Sequence, residues 1–91
     1  MTNEQRPSTL DMNLDQALSW VGEIVNEPRS KIRPDTLRTD LPGWDSLGQL
    51  VLMSALDQQF GIKLTQEELT SLTSVQNILD VLRKHGRLRT P

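Results

Sequence analysis

The chain has 91 residues, a formal net charge of −2 at pH 7, 35% hydrophobic residues and no cysteine. This length and composition are typical of one small, soluble globular domain, and the weak acidic balance argues against nucleic-acid binding. The lack of cysteine excludes a disulfide framework, a thiolate metal site and a thiol nucleophile.

The N-terminal segment gives no targeting signal. Residues 1–8 are polar and are expected to be flexible. The start MTNEQRPSTLDMN lacks the basic residues and the apolar run of a signal peptide. No segment is apolar over the length that a bilayer requires. We therefore expect no membrane span and a cytoplasmic location.

A first helix is predicted over residues 9–26. Its apolar face consists of Leu10, Leu14, Ala17, Leu18, Val21 and Val25. We expect Ser8 to cap the helix, with Asp11 in the first turn, and Pro28 to prevent its continuation. Trp20 lies off this face and is expected to close the edge of the core.

A long connection follows at residues 27–45. Its three prolines and one glycine prevent a long regular element. A connection of this length needs anchors in a compact domain. The expected anchors are Ile32, Leu37, Leu41 and Trp44.

The second helix is predicted to begin at Ser46 and to end near Phe60, with Gly61 as its C-terminal cap. Its core side holds Leu52, Leu56 and Phe60, with Met53 close to them. The opposite side holds Leu47, Val51 and Ser54, with Leu50 between the two sides. Either the long connection covers these apolar residues, or Leu47, Leu50 and Val51 form a docking patch.

Two capping boxes predict the remaining helices. Thr65 with Glu68 opens a short helix near residues 66–71, and Thr73 with Gln76 opens a last helix that ends near residue 85. The face of the last helix holds Val75, Ile78, Leu79 and Leu82, with Val81 beside it. No segment alternates as a strand does. The predicted fold class is therefore all-α, a four-helix bundle with a short third helix and a long first loop.

Ser46 stands out because a polar Asp-Ser pair precedes an apolar run. A nucleophilic serine needs a nearby base, and the only histidine, His85, falls in the last turn of the last helix. We predict no catalytic residue and no metal site. Ser46 is either an ordinary helix cap or the position of a phosphate ester, which the positive end of a helix favours.

The arrangement as a whole resembles the acyl carrier protein family. The similarity covers about residues 10–85. It rests on Asp45-Ser46-Leu47, on Phe60-Gly61-Ile62, on LTQEEL at 64–69 and on TSVQNILDVL at 73–82. The resemblance implies the family's four-helix bundle, which agrees with the fold class above.

The resemblance also implies a function and a cofactor. A phosphopantetheinyl transferase would attach 4′-phosphopantetheine covalently to Ser46, and the terminal thiol would hold acyl groups as thioesters. Asp45 matches the acid that the transferase recognises, and Leu47 matches an exposed leucine that docks on partner enzymes. The predicted partner-binding residues are Leu47, Leu50, Val51 and Trp44. The protein would be a carrier and not an enzyme.

Two departures from the family refine this interpretation. Carriers for fatty acid synthesis are typically strongly acidic along the second helix, whereas here Asp57 is its only acid after Asp45. We therefore expect weak charge steering and a stand-alone carrier of a specialised biosynthetic pathway. Its partners would be an acyl- or aminoacyl-loading ligase and acyl-transferring enzymes. Trp44 replaces a small residue, and we favour packing beneath the loop over contact with the arm or a partner.

Two alternative functions stay open. The chain is alternatively an aminoacyl or peptidyl carrier loaded by an adenylating enzyme, or a helical interaction module that is never modified. The predicted carrier domain covers residues 9–86, between flexible segments at 1–8 and 87–91. We expect a monomer.

Overall fold

A computed structural model describes residues 12–89, and its regular structure consists of four α-helices. These are α1 (Leu14–Val25), α2 (Ser46–Phe60), α3 (Gln66–Thr70) and α4 (Val75–Lys84). Within residues 12–89 the only β-type pairings are two isolated bridges, Met12 with Leu88 and Leu37 with Ser74. The predicted all-α fold class, with a short third helix and a long first loop, is confirmed.

Helix α1 begins later than predicted, at Leu14 instead of residue 9. Asn13 caps it by accepting a hydrogen bond from the backbone N–H of Gln16, and the Gln16 side chain accepts one from the N–H of Asn13. This reciprocal capping box fixes the helix start. Leu14 is 44% exposed and does not belong to the buried face, because it lies at the capped end. The predicted cap residues Ser8 and Asp11, and Leu10, lie outside the described residues.

The rest of the predicted core is confirmed. Buried side chains on the three longer helices include Ala17, Leu18, Val21, Val25, Leu52, Leu56, Phe60, Val75, Ile78, Leu79 and Leu82. Trp20 packs edge-on against Phe60 with ring centroids 5.4 Å apart, and its indole N–H donates to Gln59. Trp20 therefore closes the edge of the core, as its place beside the apolar face predicted.

The long connection contains two short 3₁₀ turns, Arg29–Lys31 and Arg38–Asp40. Ile32, Leu41 and Trp44 are buried as predicted, but Leu37 is 50% exposed and is not an anchor. The backbone is extended at Leu37, so that neighbouring side chains point to opposite sides. Thr36 takes the inner side, where its hydroxyl donates to the carbonyl oxygen of Lys31.

The caps of the last two helices are partly as predicted. The box of Thr65 and Glu68 is present at α3. At α4 the cap is Ser74 with Asn77, one residue later than the predicted Thr73 with Gln76. Asn77 also accepts hydrogen bonds from the N–H groups of Thr73 and Ser74, which an amide side chain at this position can reach. The predicted capping box of α4 was therefore placed one residue too early.

The two ends of the described chain lie side by side. The N–H of Met12 donates to the carbonyl oxygen of Arg87 at 2.8 Å, and the N–H of Arg89 donates to that of Met12 at 2.7 Å. Leu88 is buried beside them. No pattern in the sequence indicated this pairing. The domain limits of 9–86, with flexible ends, stay a prediction because residues 1–11 and 90–91 are outside the described range.

Candidate functional site

Ser46 is the first residue of α2, and its side chain is exposed. The cap of α2 is Asp45, whose Oδ1 accepts a hydrogen bond from the N–H of Gly48 at 2.9 Å. Within residues 12–89 no side-chain hydrogen bond involves the Ser46 hydroxyl. The interpretation of Ser46 as an ordinary helix cap is therefore wrong, because Asp45 is the cap and Ser46 is exposed.

The backbone just before Ser46 is held from several directions. Glu27 Oε2 accepts a hydrogen bond from the N–H of Gly43 at 2.5 Å, and Arg38 Nε donates to the carbonyl oxygen of Trp44 at 3.0 Å. A Cβ atom on Gly43 would clash with the carbonyl oxygen of Val25, and one on Gly48 would clash with that of Gly43. Both positions therefore need glycine, and the loop packs directly against α1 and the first turn of α2.

Trp44 is 2% exposed and belongs to the core. The predicted partner contact of Trp44 is corrected accordingly, because its side chain is not on the surface. The packing interpretation, which the sequence favoured, accounts for its position. Its indole N–H donates to Gln49 Oε1 at 2.6 Å.

Gln49 is a residue of the site that the sequence analysis missed. It is 6% exposed, and its Nε2 donates to the carbonyl oxygen of Leu69 in α3 at 2.6 Å. A signal for it existed in the sequence. Gln49 precedes Leu52 by three residues and Leu56 by seven, which places it on the core face of α2. A polar residue there had to find buried partners.

Leu47, Leu50 and Val51 are exposed by 68%, 53% and 42% of their areas. Together we call them the α2 patch. Residues three and four apart on a helix lie side by side, so these side chains form one surface next to Ser46. The interpretation in which the long connection covers them is wrong.

The surface of α2 carries little net charge. Asp57, its only acid after Asp45, forms an ion pair with Lys63 at 2.8 Å. Within residues 12–89 no group of His, Asp and Glu side chains is arranged to hold a metal ion. His85 is the exposed C-terminal cap residue of α4, and within the described chain no hydrogen bond joins it to Ser46.

The start of α2 suits a phosphate ester on Ser46. The first N–H groups of a helix have no partner within the helix, and together with the helix dipole they favour an anion. Asp45 engages the N–H of Gly48 and, through its carbonyl oxygen, that of Gln49. The exposed Ser46 side chain leaves room for a long substituent to extend into solvent.

Comparison with known families matches residues 18–82 to the one described as "Phosphopantetheine attachment site". The matched range includes Ser46, the α2 patch and Gln49. Among the helices that the structure describes, none has the length and apolarity needed to cross a membrane.

Three similar curated proteins are all named acyl carrier protein. The chain is 38% identical over 55 residues to that of Buchnera aphidicola subsp. Baizongia pistaciae, covering 60% of this chain and 70% of the relative. It is 32% identical over 75 residues to that of Thermosynechococcus vestitus, covering 78% of this chain and 93% of the relative. It is 29% identical over 74 residues to that of Cyanidioschyzon merolae, covering 81% of each.

Proposed function

Because the chain belongs to the acyl carrier protein family with a phosphopantetheine attachment site, we propose that Ser46 bears its covalent 4′-phosphopantetheine. One observation supports this residue above all. Ser46 is exposed at the first position of α2, inside the matched range. Asp45 caps the helix, so the Ser46 hydroxyl is not used as a cap. The hydroxyl is therefore accessible as the acceptor in phosphopantetheinyl transfer.

The chain acts as a carrier, and its residues position and present the attachment oxygen. When bound, the prosthetic group supplies a terminal thiol that holds acyl cargo as a thioester. Asp45 keeps the first turn of α2 closed through Gly48 and leaves its exposed carboxylate beside Ser46. We assign Asp45 to recognition by the phosphopantetheinyl transferase and its metal ion.

The α2 patch is proposed as the docking surface for partner enzymes. Three large apolar side chains beside the attachment site have no cover within residues 12–89. With Asp57 paired to Lys63, an approaching enzyme meets a nearly neutral helix. Docking therefore depends on shape and apolar contact more than on charge.

This neutral surface supports a role in a specialised biosynthetic pathway rather than in housekeeping fatty acid synthesis. A dedicated loading ligase would supply the cargo, and acyl-transferring enzymes would receive it. The cargo class decides between an acyl carrier and an aminoacyl or peptidyl carrier. Loading assays on the modified protein, with fatty acids and amino acids in parallel, separate the two.

The decisive test is intact mass after incubation with coenzyme A, Mg²⁺ and a broad-specificity phosphopantetheinyl transferase. We expect the wild type to gain one phosphopantetheine and Ser46→Ala to gain none. Ser54→Ala is the matched control, because Ser54 is another exposed serine of α2. No gain by the wild type with several transferases would favour the unmodified interaction module, and a gain by Ser46→Ala would move the site elsewhere.

A further inference from the structure

Gln49 joins the loop before the attachment site to α3. Its side-chain oxygen accepts the indole N–H of Trp44, and its side-chain nitrogen donates to the carbonyl oxygen of Leu69, both at 2.6 Å. Gln49 and Trp44 are 6% and 2% exposed, so water cannot replace these partners easily. Leaving either group unpaired in the interior is unfavourable, and the two bonds therefore hold Gln49 and Trp44 in one arrangement.

Trp44 transmits this arrangement to the attachment site. It lies two residues before Ser46, and its carbonyl oxygen is held by Arg38 Nε at 3.0 Å. Its side chain and its backbone are thus both fixed, one by Gln49 and the other by Arg38. The next residue is Asp45, which caps α2 and presents Ser46. Rotation of the Trp44 side chain would therefore disturb the segment that a transferase must bind.

We propose that Gln49 is a positioning residue for modification of Ser46, acting through Trp44. The inference rests on the proposed function, that Ser46 accepts phosphopantetheine, and adds a buried residue that does not touch the reacting atoms. If Gln49 is removed, only a fraction of molecules holds the Asp45–Ser46 segment in the shape that the transferase binds. The apparent affinity then falls to that fraction of its intrinsic value, while turnover of the bound protein is unchanged.

The kinetic test compares modification of Gln49→Leu with that of the wild type. Gln49→Leu removes both hydrogen bonds and keeps a large side chain. We expect KM for the unmodified carrier to rise by about tenfold, with kcat within about twofold of the wild type. Circular dichroism checks that the variant remains helical.

Two controls separate positioning from general stability. Gln59→Leu is the matched control, because Gln59 lies on the same helix and accepts the indole N–H of the other tryptophan, Trp20, at 3.0 Å. Ile78→Val weakens the core in α4 and leaves both hydrogen-bonding partners of Gln49 unchanged. Both variants should keep the wild-type KM, even where their melting temperatures fall as far as that of Gln49→Leu.

A double-mutant cycle tests the route through Trp44. Trp44→Phe keeps an aromatic ring but removes the indole N–H, so by itself it should raise KM as Gln49→Leu does. The increase in KM of the double variant should then be much smaller than the product of the two single increases, because both single variants lose the same contact. Trp44→Phe also tests the proposal independently if Gln49→Leu does not fold.

A spectroscopic readout needs no transferase. In a Trp20→Phe background Trp44 is the sole tryptophan, since the chain has two. Acrylamide should quench its fluorescence at least about twofold more strongly once Gln49 is replaced by leucine, because the indole loses its fixed buried position. Gln59→Leu in the same background should leave the quenching unchanged.

The outcomes are distinguishable. Lack of modification of the wild type would overturn the proposed function itself. Normal modification of the wild type with an unchanged KM for Gln49→Leu and Trp44→Phe would overturn only the role of Gln49. If Ile78→Val were similarly destabilised and raised KM as much as Gln49→Leu does, Gln49 would be only a structural residue. The same conclusion would follow if the KM increases of Gln49→Leu and Trp44→Phe simply multiplied in the double variant.

Discussion

At the residue scale, Asp45 caps α2, which leaves Ser46 free for the proposed attachment. Asp45 caps α2 through the N–H of Gly48, and Ser46 follows as the first helical residue with an exposed hydroxyl. An attachment oxygen that also capped the helix would have to release its hydrogen bond on modification. Here the capping hydrogen bond does not involve the Ser46 hydroxyl, so we expect the helix start to persist when a substituent is added.

Stability measurements on two neighbouring variants test this division. We expect Asp45→Ala to lower the free energy of unfolding by about 1 kcal/mol, the usual effect of losing a helix cap. Ser46→Ala should change it by less than about 0.5 kcal/mol, as for an exposed residue without a partner. Urea unfolding followed by circular dichroism measures both. If only Ser46→Ala lowered the free energy of unfolding by the amount expected for a lost cap, the assignment of the cap to Asp45 would be contradicted.

How far the sequence predicts this site depends on the kind of residue. Ser46 followed from the resemblance to the acyl carrier protein family, and the helix period separated the two sides of α2 but left open whether Leu47, Leu50 and Val51 are covered. Gln49 was missed because its partners, Trp44 and Leu69, are brought together only by the tertiary fold. Leu37 was misplaced for a similar reason, since pairing of its neighbours with the start of α4 decided which side chain turned inward.

At the scale of elements, α2 has two apolar sides with different environments. Leu52 and Leu56 are completely buried, whereas the α2 patch faces solvent beside the proposed attachment site. Capping patterns predicted the bounds of α2 and α3 well, because their caps are local. The start of α1 was wrong because the Asn13–Gln16 box competes with the predicted Ser8 cap, and propensity does not rank such boxes.

Replacing Leu47 should affect partners and not folding. We expect Leu47→Ala to reduce kcat/KM for partner enzymes by about tenfold, as for a residue at the centre of an interface. Its free energy of unfolding should change by less than about 0.5 kcal/mol. Leu52→Ala is the contrasting variant and should lose about 2–5 kcal/mol of stability, because it leaves a cavity in the core. A Leu47→Ala variant with normal partner kinetics would remove the α2 patch from the docking surface.

The stability of the first turn of α3 should depend on pH in the acidic range. The backbone N–H of Thr65 donates to the Glu68 carboxylate at 2.9 Å and holds the pKa of Glu68 below its ordinary value of 4.5. A lowered pKa in the folded state means that the ionised carboxylate stabilises α3 above the unfolded pKa. This contribution is lost as the pH falls through the folded pKa.

An NMR titration of the Glu68 side chain measures this effect directly. We expect a midpoint below 4.5 in the wild type and a midpoint closer to that value in Thr65→Ala, which loses the hydroxyl of the capping box. A wild-type midpoint at or above the ordinary value would show that the box does not favour the charged form.

At the scale of the whole molecule, the long connection between α1 and α2 has little regular structure but is anchored in the single core. Ile32, Leu41 and Trp44 supply its anchors, and Met12 pairs with residues 87–89 to join the two described ends. The three anchors were predicted, whereas the pairing of Met12 with residues 87–89 links segments far apart in sequence, which helix periodicity could not reveal. The predicted bundle was therefore right in its elements and incomplete in what closes it.

Leu88 tests the importance of this closure. It is 7% exposed and packs in the core cluster beyond the end of α4. We expect Leu88→Ala to lower the free energy of unfolding by about 2–3 kcal/mol, within the range for buried leucines. Leu14→Ala is a suitable control, because the Leu14 side chain is 44% exposed. A Leu88→Ala variant as stable as the wild type would favour the predicted domain limit at residue 86.

The bonds of Gln49 to Trp44 and to Leu69 of α3 also set a threshold for cargo. An alkyl chain that displaced the Gln49 side chain would break two buried hydrogen bonds, at about 1–3 kcal/mol each. Each methylene that leaves water gains only about 0.8 kcal/mol. Roughly three to eight methylenes are then needed before entry is favourable at all. We therefore expect shorter acyl groups to stay in water, where a receiving enzyme can reach them without extraction and where hydrolysis limits their lifetime.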